Sequence, residues 1–305
     1  MRQPTLFIAA LCCTMMSYAT EGALNGKFTI NEQGDKIVFS QGNLQYQSAH
    51  DTWQFADTQY VAIGKGNENI TKPLQWIDLF GWGTGNSPKR KSEFDDDYPT
   101  FVDWGVNPIS NGGNEANLWR TIKYEELEYL LFTRDNHDSL RGCAVITDQY
   151  GHYLCYGYIL LPDNWIAPDG LSFKGNPPTF GANHYTEDQW PIMEAAGAVF
   201  LPGTGTRNNA EVAGAPPYSG GNYWTDYQGS DGAGYLQFST SAMLNKATWL
   251  RHIGMGVRLI QDYQETPTSL DNTDADNTAK KCIINGQLFI LRGEKVYTVE
   301  GQEVK

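Results

Sequence analysis

The segment Trp119–Leu131 (WRTIKYEELEYLL) constrains the fold most, because it joins a strand-like Trp119-Arg120-Thr121 directly to the chain's only clean amphipathic helix. Tyr124, Leu127, Leu130, Leu131 and Arg134 fall at helical spacing on one face, while Glu125, Glu126 and Glu128 lie where a helix N-terminus favours negative charge. Most of the remaining chain reads as short β-like runs between Gly- and Trp-rich loops. The expected class is α+β, with short antiparallel strands, about two helices and long displayed loops, and loops so displayed commonly bind something.

At 305 residues, 40% hydrophobic and 13% aromatic, the chain has ample material for a core. Its net charge of -13 argues against a nucleic-acid partner, since a phosphate backbone repels it. Residues 1–19 combine Arg2, an apolar run from Leu6 to Met16, and small residues at Ser17 and Ala19. That pattern predicts a secretory signal peptide, because the run is shorter than the roughly 20 residues of a spanning helix. The chain is therefore expected to be exported, to the cell surface, the outer membrane or the extracellular space, without a transmembrane span. Cys12 and Cys13 open a lipoprotein alternative, against which the bulky Leu11 stands. Cys143, Cys155 and Cys282 remain, an odd number that speaks against a disulfide-stapled scaffold. A Cys143–Cys155 bridge across the turn near Gln149–Gly151 competes with the simpler packing of two small residues in a sheet.

Strands are expected at Phe28–Ile30, Ile37–Ser40, Asn43–Tyr46, Trp53–Phe55 and Tyr60–Ile63, with a hairpin turn over Glu32–Asp35. A long loop from Gly64 to Gly113 follows and must be pinned by aromatics such as Trp76, Trp82 and Trp104. A second helix is expected within Thr186–Ala196, with Thr186 and Gln189 spaced as a capping box, Gly197 at its end and Pro191 delaying its regular start to about Trp190. Further strands are expected at Ala198–Leu201, Tyr223–Thr225, Tyr235–Ser239 and Gly256–Ile260. The predicted organisation is one domain over 24–262, an acidic flexible linker over 263–280, and a short β tail over 281–305. The tail shows only two runs, Gln287–Leu291 and Lys295–Val299, too few to be stable alone, which predicts that it docks or serves as a sorting or attachment segment.

Phe101-Val102-Asp103-Trp104-Gly105, then Trp119-Arg120-Thr121 leading into Glu125-Glu126-Leu127-Glu128-Tyr129, then Tyr223-Trp224 and the closing Gly256-Val257-Arg258-Leu259 occur in this order. The order resembles the formylglycine-generating, sulfatase-modifying family with its C-type-lectin-like fold, in the non-enzymatic branch common in surface proteins of Bacteroidetes. Asn43-Leu44-Gln45-Tyr46, Leu79-Phe80-Gly81-Trp82-Gly83, Leu160-Leu161-Pro162-Asp163 and Gly197-Ala198-Val199-Phe200-Leu201-Pro202 resemble that branch too, so the likeness covers about 26–261. It departs at Lys123, where relatives carry Ser or Thr three positions before the glutamate; loss of the capping box predicts a frayed first helical turn.

The family's oxygenases hold copper through a cysteine pair near the closing strand, and here Leu259 and Ile260 end that strand with no cysteine between Cys155 and Cys282. The sulfoxide-synthase cousins need a His-x3-His-x-Glu iron site, a spacing that His50, His137, His152, His184 and His252 do not provide. The resemblance therefore implies a non-enzymatic protein without a cofactor. The rival reading is a cell-envelope enzyme, most plausibly a glycoside hydrolase, whose paired carboxylates have no fixed spacing to search for. A structural part of a surface assembly is a third.

In C-type-lectin-like relatives the stretch before the closing strand contacts ligand. Here it supplies Tyr223, Asp226, Tyr227, Tyr235, Gln237, Trp249 and Arg251 as candidate binding residues for a glycan, a peptide or a surface protein. Trp224 and Trp249 also suit a core, whereas Tyr227, Tyr235 and Arg251 suit a surface. Asp95, Asp96 and Asp97 are candidate calcium ligands, although the usual ligand-loop spacing with its glycine is missing. Leu161-Pro162-Asp163 resembles the Pro loop of calcium-dependent lectins, with leucine where an acid or amide precedes the proline. Trp76 and Trp82 offer a sugar platform, or pin the long loop.

Overall fold

A computed structural model describes residues 21–176, 180–214, 220–239, 243–264, 280–284, 287–292, 295–298 and 302–304. The leader expected over 1–19 and most of the expected acidic linker lie outside these residues. The chain divides into two compact units, Met1–Tyr263 and Gln264–Lys305. The first is a mixed α+β unit of short, mostly antiparallel strands with two α-helices among the described residues.

A tight hairpin opens it: Phe28–Thr29 pairs with Lys36–Phe39 around a turn where Asn31 and Asp35 exchange hydrogen bonds and Gly34 takes φ 84°. The closing strand Leu259–Tyr263 then pairs with Lys36–Phe39 on one side and Arg120–Thr121 on the other, so the ends of the unit share one sheet. Tyr263 pairs with Lys36, which moves the predicted linker start beyond this residue. The strand outlasts its apolar residues because Asp262 accepts from Arg120 Nε (3.0 Å) and the Lys27 ammonium lies over the Tyr263 ring.

A second sheet runs in the order Val199–Pro202, Tyr153–Leu160, Arg141–Thr147, His184–Thr186, the last pair parallel. Every residue of Arg141–Thr147 is buried, since cores press on both faces. Cys143 and Tyr158 face the cluster that holds Phe28, Leu127, Leu130 and Phe238; Ile146 and Cys155 face the cluster of Trp190, Met193 and Phe200. Cys143 lies opposite Tyr158 and Cys155 opposite Ile146, and both thiols are free. They pack as small apolar residues, and burial pushes the Cys155 thiol up to about 12.

Helix α1, Tyr124–Phe132, buries Leu127, Leu130 and Leu131, as its periodicity predicts. Its first turn does not fray as predicted. An ammonium has no lone pair, so Lys123 cannot accept from the turn, but Glu126 still accepts from the Lys123 N–H (2.9 Å) and Asp226, from a distant strand, accepts from the Tyr124 N–H (3.0 Å). Helix α2, Trp190–Ala195, starts where Pro191 permits, and its capping box forms: Gln189 N–H to Thr186 Oγ1 (3.3 Å) and Thr186 N–H to Gln189 Oε1 (3.0 Å).

Residues 64–113 are not bare loop. They contain 3₁₀ turns at Gly64–Asn69, Asp95–Asp97 and Trp104–Val106 and a short strand, Trp76–Ile77. Trp82 and Trp104 are fully buried; the Trp82 indole donates to Thr225 O (3.0 Å), and the Trp224 indole returns the contact to Phe80 O (2.7 Å). Trp82 is therefore a pin and no sugar platform. Tyr60–Ile63, expected as a strand, is not one. The Ile63 N–H donates to Asp78 Oδ2 (2.8 Å) instead of to a neighbouring strand.

Asp78 is fully buried and also accepts from Asn67 Nδ2 (2.7 Å). Burial outweighs these donors and raises its pKa from 3.8 to about 6. Between those values the folded protein holds a proton that the unfolded chain releases, so this group's contribution falls as pH rises through the window, by about 3 kcal/mol. Urea unfolding of the wild type and Asp78→Asn should therefore show the variant gaining about that much relative to wild type from pH 4 to pH 7, roughly two-state behaviour assumed. A pH-independent difference would refute the assignment.

The second unit, described by itself, is a sheet ordered Lys280–Ile284, Gln287–Arg292, Lys295–Thr298, Glu303–Val304. Two strands were expected and four form; the flanking runs were missed because they are brief or lysine-rich. With four strands among the described residues the tail is larger than the lone hairpin from which docking was expected.

Candidate functional site

The surface predicted to bind ligand lies on a three-stranded antiparallel sheet, Gly221–Gln228, Ala233–Phe238 and Met243–Trp249. Strand alternation places Trp224, Tyr235, Ala233 and Trp249 on one face and Tyr223, Leu236, Gly234 and Thr248 on the other, as the cross-strand pairs Trp224↔Tyr235, Tyr223↔Leu236, Ala233↔Trp249 and Gly234↔Thr248 require. Both faces run into cores, so this sheet is solid behind its exposed end.

Tyr223 and Tyr235 are corrections. Tyr223 is 4% exposed, donates its hydroxyl to Pro202 O (2.7 Å) and accepts from Asn43 Nδ2 (3.2 Å). Tyr235 is 5% exposed and packs edge-on to Trp224. Both ring faces are consumed by packing, because these strands have a core on each side. Gln237 is half-buried, its amide donating to Asn222 Oδ1 (3.2 Å). Arg251 is also committed: its guanidinium lies 5.3 Å from the centre of the buried Trp82 ring and donates to Gly229 O (3.0 Å). It braces the loop between strands more than it offers itself to a ligand.

Two of the candidates, Tyr227 and Trp249, are exposed, and Asp226 is half-buried like Gln237 and Arg251. The register slips between Trp224 and Gln228, yet Gln228 still faces Ala233, so the alternation holds and Tyr227 stays on the Gly234 face beside Thr225, at the open end of the sheet. Tyr227 is 41% exposed, with its ring 5.0 Å from that of Tyr124 at 38°. Asp226 caps α1; burial raises its pKa, and Glu125 and Glu126 add to the shift. Trp249, assigned equally to a core, is 38% exposed and touches Tyr235 at 5.9 Å. Tyr227 packs against Gly234 while Trp249 lies on the Ala233 face, so the two aromatics flank opposite faces of the sheet end. Tyr124 and Leu250, the latter 44% exposed, complete the two patches and were missed. Tyr124 carried a signal, an aromatic at the first helical position, but its spacing assigned it to the buried face.

The acidic run makes a 3₁₀ turn, Asp95–Asp97. Asp95 Oδ1 accepts from the His252 backbone N–H (3.1 Å) and pairs with His252 Nδ1 (2.7 Å), while Asp97 accepts from the Ser92 hydroxyl. Asp95 thereby fastens this turn to the Arg251–Gly254 loop. Among the described residues no group of three or more His, Cys, Asp or Glu is placed to hold a metal. Asp163 of the Leu161-Pro162-Asp163 segment accepts from Arg134 Nη1 and from the Thr29 N–H and hydroxyl (2.9, 2.9 and 2.7 Å), a structural use of that carboxylate. No helix among the described residues is long and apolar enough to cross a membrane. No family model, curated protein or solved structure matches the chain.

Proposed function

We infer that the chain is an exported binding protein of the cell surface, a C-type-lectin-like scaffold related to formylglycine-generating enzymes and used without their oxidation chemistry. It holds a glycan, peptide or partner protein against the end of the Gly221–Trp249 sheet. The observation that carries this reading is the exposure of Tyr227 and Trp249 on a sheet packed on both faces. Aromatics so held contribute contact area at little entropic cost, because the backbone beneath them is already ordered. Asp226 adds a half-buried carboxylate at the rim for hydrogen bonding.

Glycan and peptide arrays with Tyr227→Ala and Trp249→Ala test this. Each substitution should weaken retention by about 2 kcal/mol, roughly 30-fold, if its ring anchors the ligand. Melting temperatures should barely move, since both side chains are over a third exposed. Full retention by both variants would remove the surface from consideration. Turnover of chromogenic glycosides by the wild type would replace binding with the hydrolase reading.

A further inference from the structure

Tyr227 is exposed but not loose. A Cβ at Gly234 would lie 2.8 Å from Tyr227 Cβ, and one at Gly229 would lie 3.4 Å from Tyr227 Cε1, so the two glycines let this side chain press against the sheet. The Tyr124 ring, from the first residue of α1, closes on it at 5.0 Å and 38°, and Tyr227 remains 41% exposed. The two tyrosines share one patch, and the faces of such rings carry negative electrostatic potential.

The charges beside the patch have the same sign. Asp226 precedes Tyr227 in the chain and accepts from the Tyr124 N–H through Oδ1 (3.0 Å), while no donor among the described residues reaches its Oδ2. Glu125 is exposed next to Tyr124. Arg120 does not neutralise these two acids, since its guanidinium is taken by Glu126 (2.7 Å) and Asp262 (3.0 Å). Burial raises the Asp226 pKa, and among its charged neighbours Glu125 and Glu126 outweigh the exposed Lys123. A half-buried carboxylate with an oxygen to spare, set beside ring faces, is under-supplied with positive charge. Ammonium and guanidinium groups meet that need, because each stacks on a tyrosine face while donating to a carboxylate. A neutral sugar stacks on the rings but leaves the carboxylate unbalanced, and the chain's net charge of -13 repels an anion.

Trp249 and Leu250 are exposed at the same sheet end, with Trp249 on the opposite face. A lone amine held at Tyr227 does not reach them, whereas a few residues of extended chain do. We propose that the ligand of this surface, which rests on the binding role inferred above, is a basic peptide segment. Its arginine or lysine lies over Tyr124 and Tyr227 against Asp226, and an apolar neighbour reaches Trp249 and Leu250.

On a peptide array graded from basic to acidic, the full chain should retain sequences that place arginine or lysine beside an apolar residue, and less of them as salt is raised. The best-retained arginine peptide then serves as the probe for Kd. Citrulline in place of its arginine, and Asp226→Asn in the protein, should each weaken binding about tenfold. Asparagine keeps an acceptor for the Tyr124 N–H, so the melting temperature should hold. Should Asp226→Asn nevertheless fail to fold, Glu125→Gln at an exposed position should weaken binding in the same sense. Retained peptides without a preference for positive charge, or a Kd unmoved by citrulline and by either variant, would overturn the basic partner. Retention of a glycan alone, lost in Tyr227→Ala, would overturn it too and leave the sheet end as the binding surface. Retention of nothing, or retention untouched by Tyr227→Ala and Trp249→Ala, would remove both.

Discussion

Gly105→Ala is expected to lower stability by more than about 4 kcal/mol, a loss at the extreme of single substitutions, and to leave most of the protein insoluble. A Cβ at Gly105 would lie 2.6 Å from the Trp119 carbonyl carbon and closer still to its oxygen. Neither backbone can retreat. The Gly105 N–H donates to Asp103 Oδ1 (2.8 Å), its carbonyl accepts from the Asn117 N–H (2.7 Å), and the same Asp103 carboxylate accepts from the Thr121 N–H (3.0 Å). The added methyl therefore forces apart the Asp103–Gly105 turn and the strand that leads into α1. Gly34→Ala is the control: nothing lies within 4 Å of a Cβ there, and only its φ of 84° is strained, so about 1 kcal/mol is expected. Circular-dichroism melts and soluble yield measure both. A Gly105→Ala protein melting within a few degrees of wild type would show that the approach of these segments is looser than the structure has it.

That contact also explains what the sequence could and could not disclose. Helix α1 was legible because Leu127, Leu130 and Leu131 repeat at helical spacing, and α2 because Thr186, Gln189, Pro191 and Gly197 each act within a few residues of themselves. The tie from Asp103 to Thr121, the cap that Asp226 lends to α1 and the pinning of Trp82 by Thr225 were not legible, since each joins residues far apart in the chain. The candidate surface shows the same limit. Tyr227 reaches solvent because it lies near the open end of its strand, past the register slip after Trp224, and no local residue pattern announces where the covering core stops. Tyr235 and Trp249 exchange their expected places for a related reason: aromatics on one sheet face are indistinguishable in sequence, and only distance from the sheet's end decides which is covered. The buried arginines were equally hidden. Arg134, Arg207 and Arg258 are each under 5% exposed because carbonyls, amides or Asp163 receive their donors, and most of those acceptors lie far away in the chain.

Among them Arg134 has the most to lose from one substitution. Asp163→Ala is expected to cost about 3 kcal/mol, toward the lower end for breaking a buried ion pair because Asp163 itself is 32% exposed. The Arg134 side chain is 2% exposed, donates to Leu130 O and Leu161 O (2.9 Å each) and lies 5.5 Å from the centre of the Phe28 ring. Those contacts hold the guanidinium in place after its counter-ion is gone, so its charge stays buried and uncompensated. The Thr29 N–H and hydroxyl lose their acceptor in the same step, loosening the first hairpin from the segment after Leu161. For a unit of this size the loss corresponds to a fall in melting temperature of roughly 6–12 °C. Removing the cation as well should recover part of it: Arg134→Met with Asp163→Ala should be more stable than Asp163→Ala alone, because methionine fills the space against Phe28 without leaving a bare charge. If the single and double variants melt together, the cost is packing and not charge. If Asp163→Ala melts with wild type, the reading of Asp163 as a structural clasp fails.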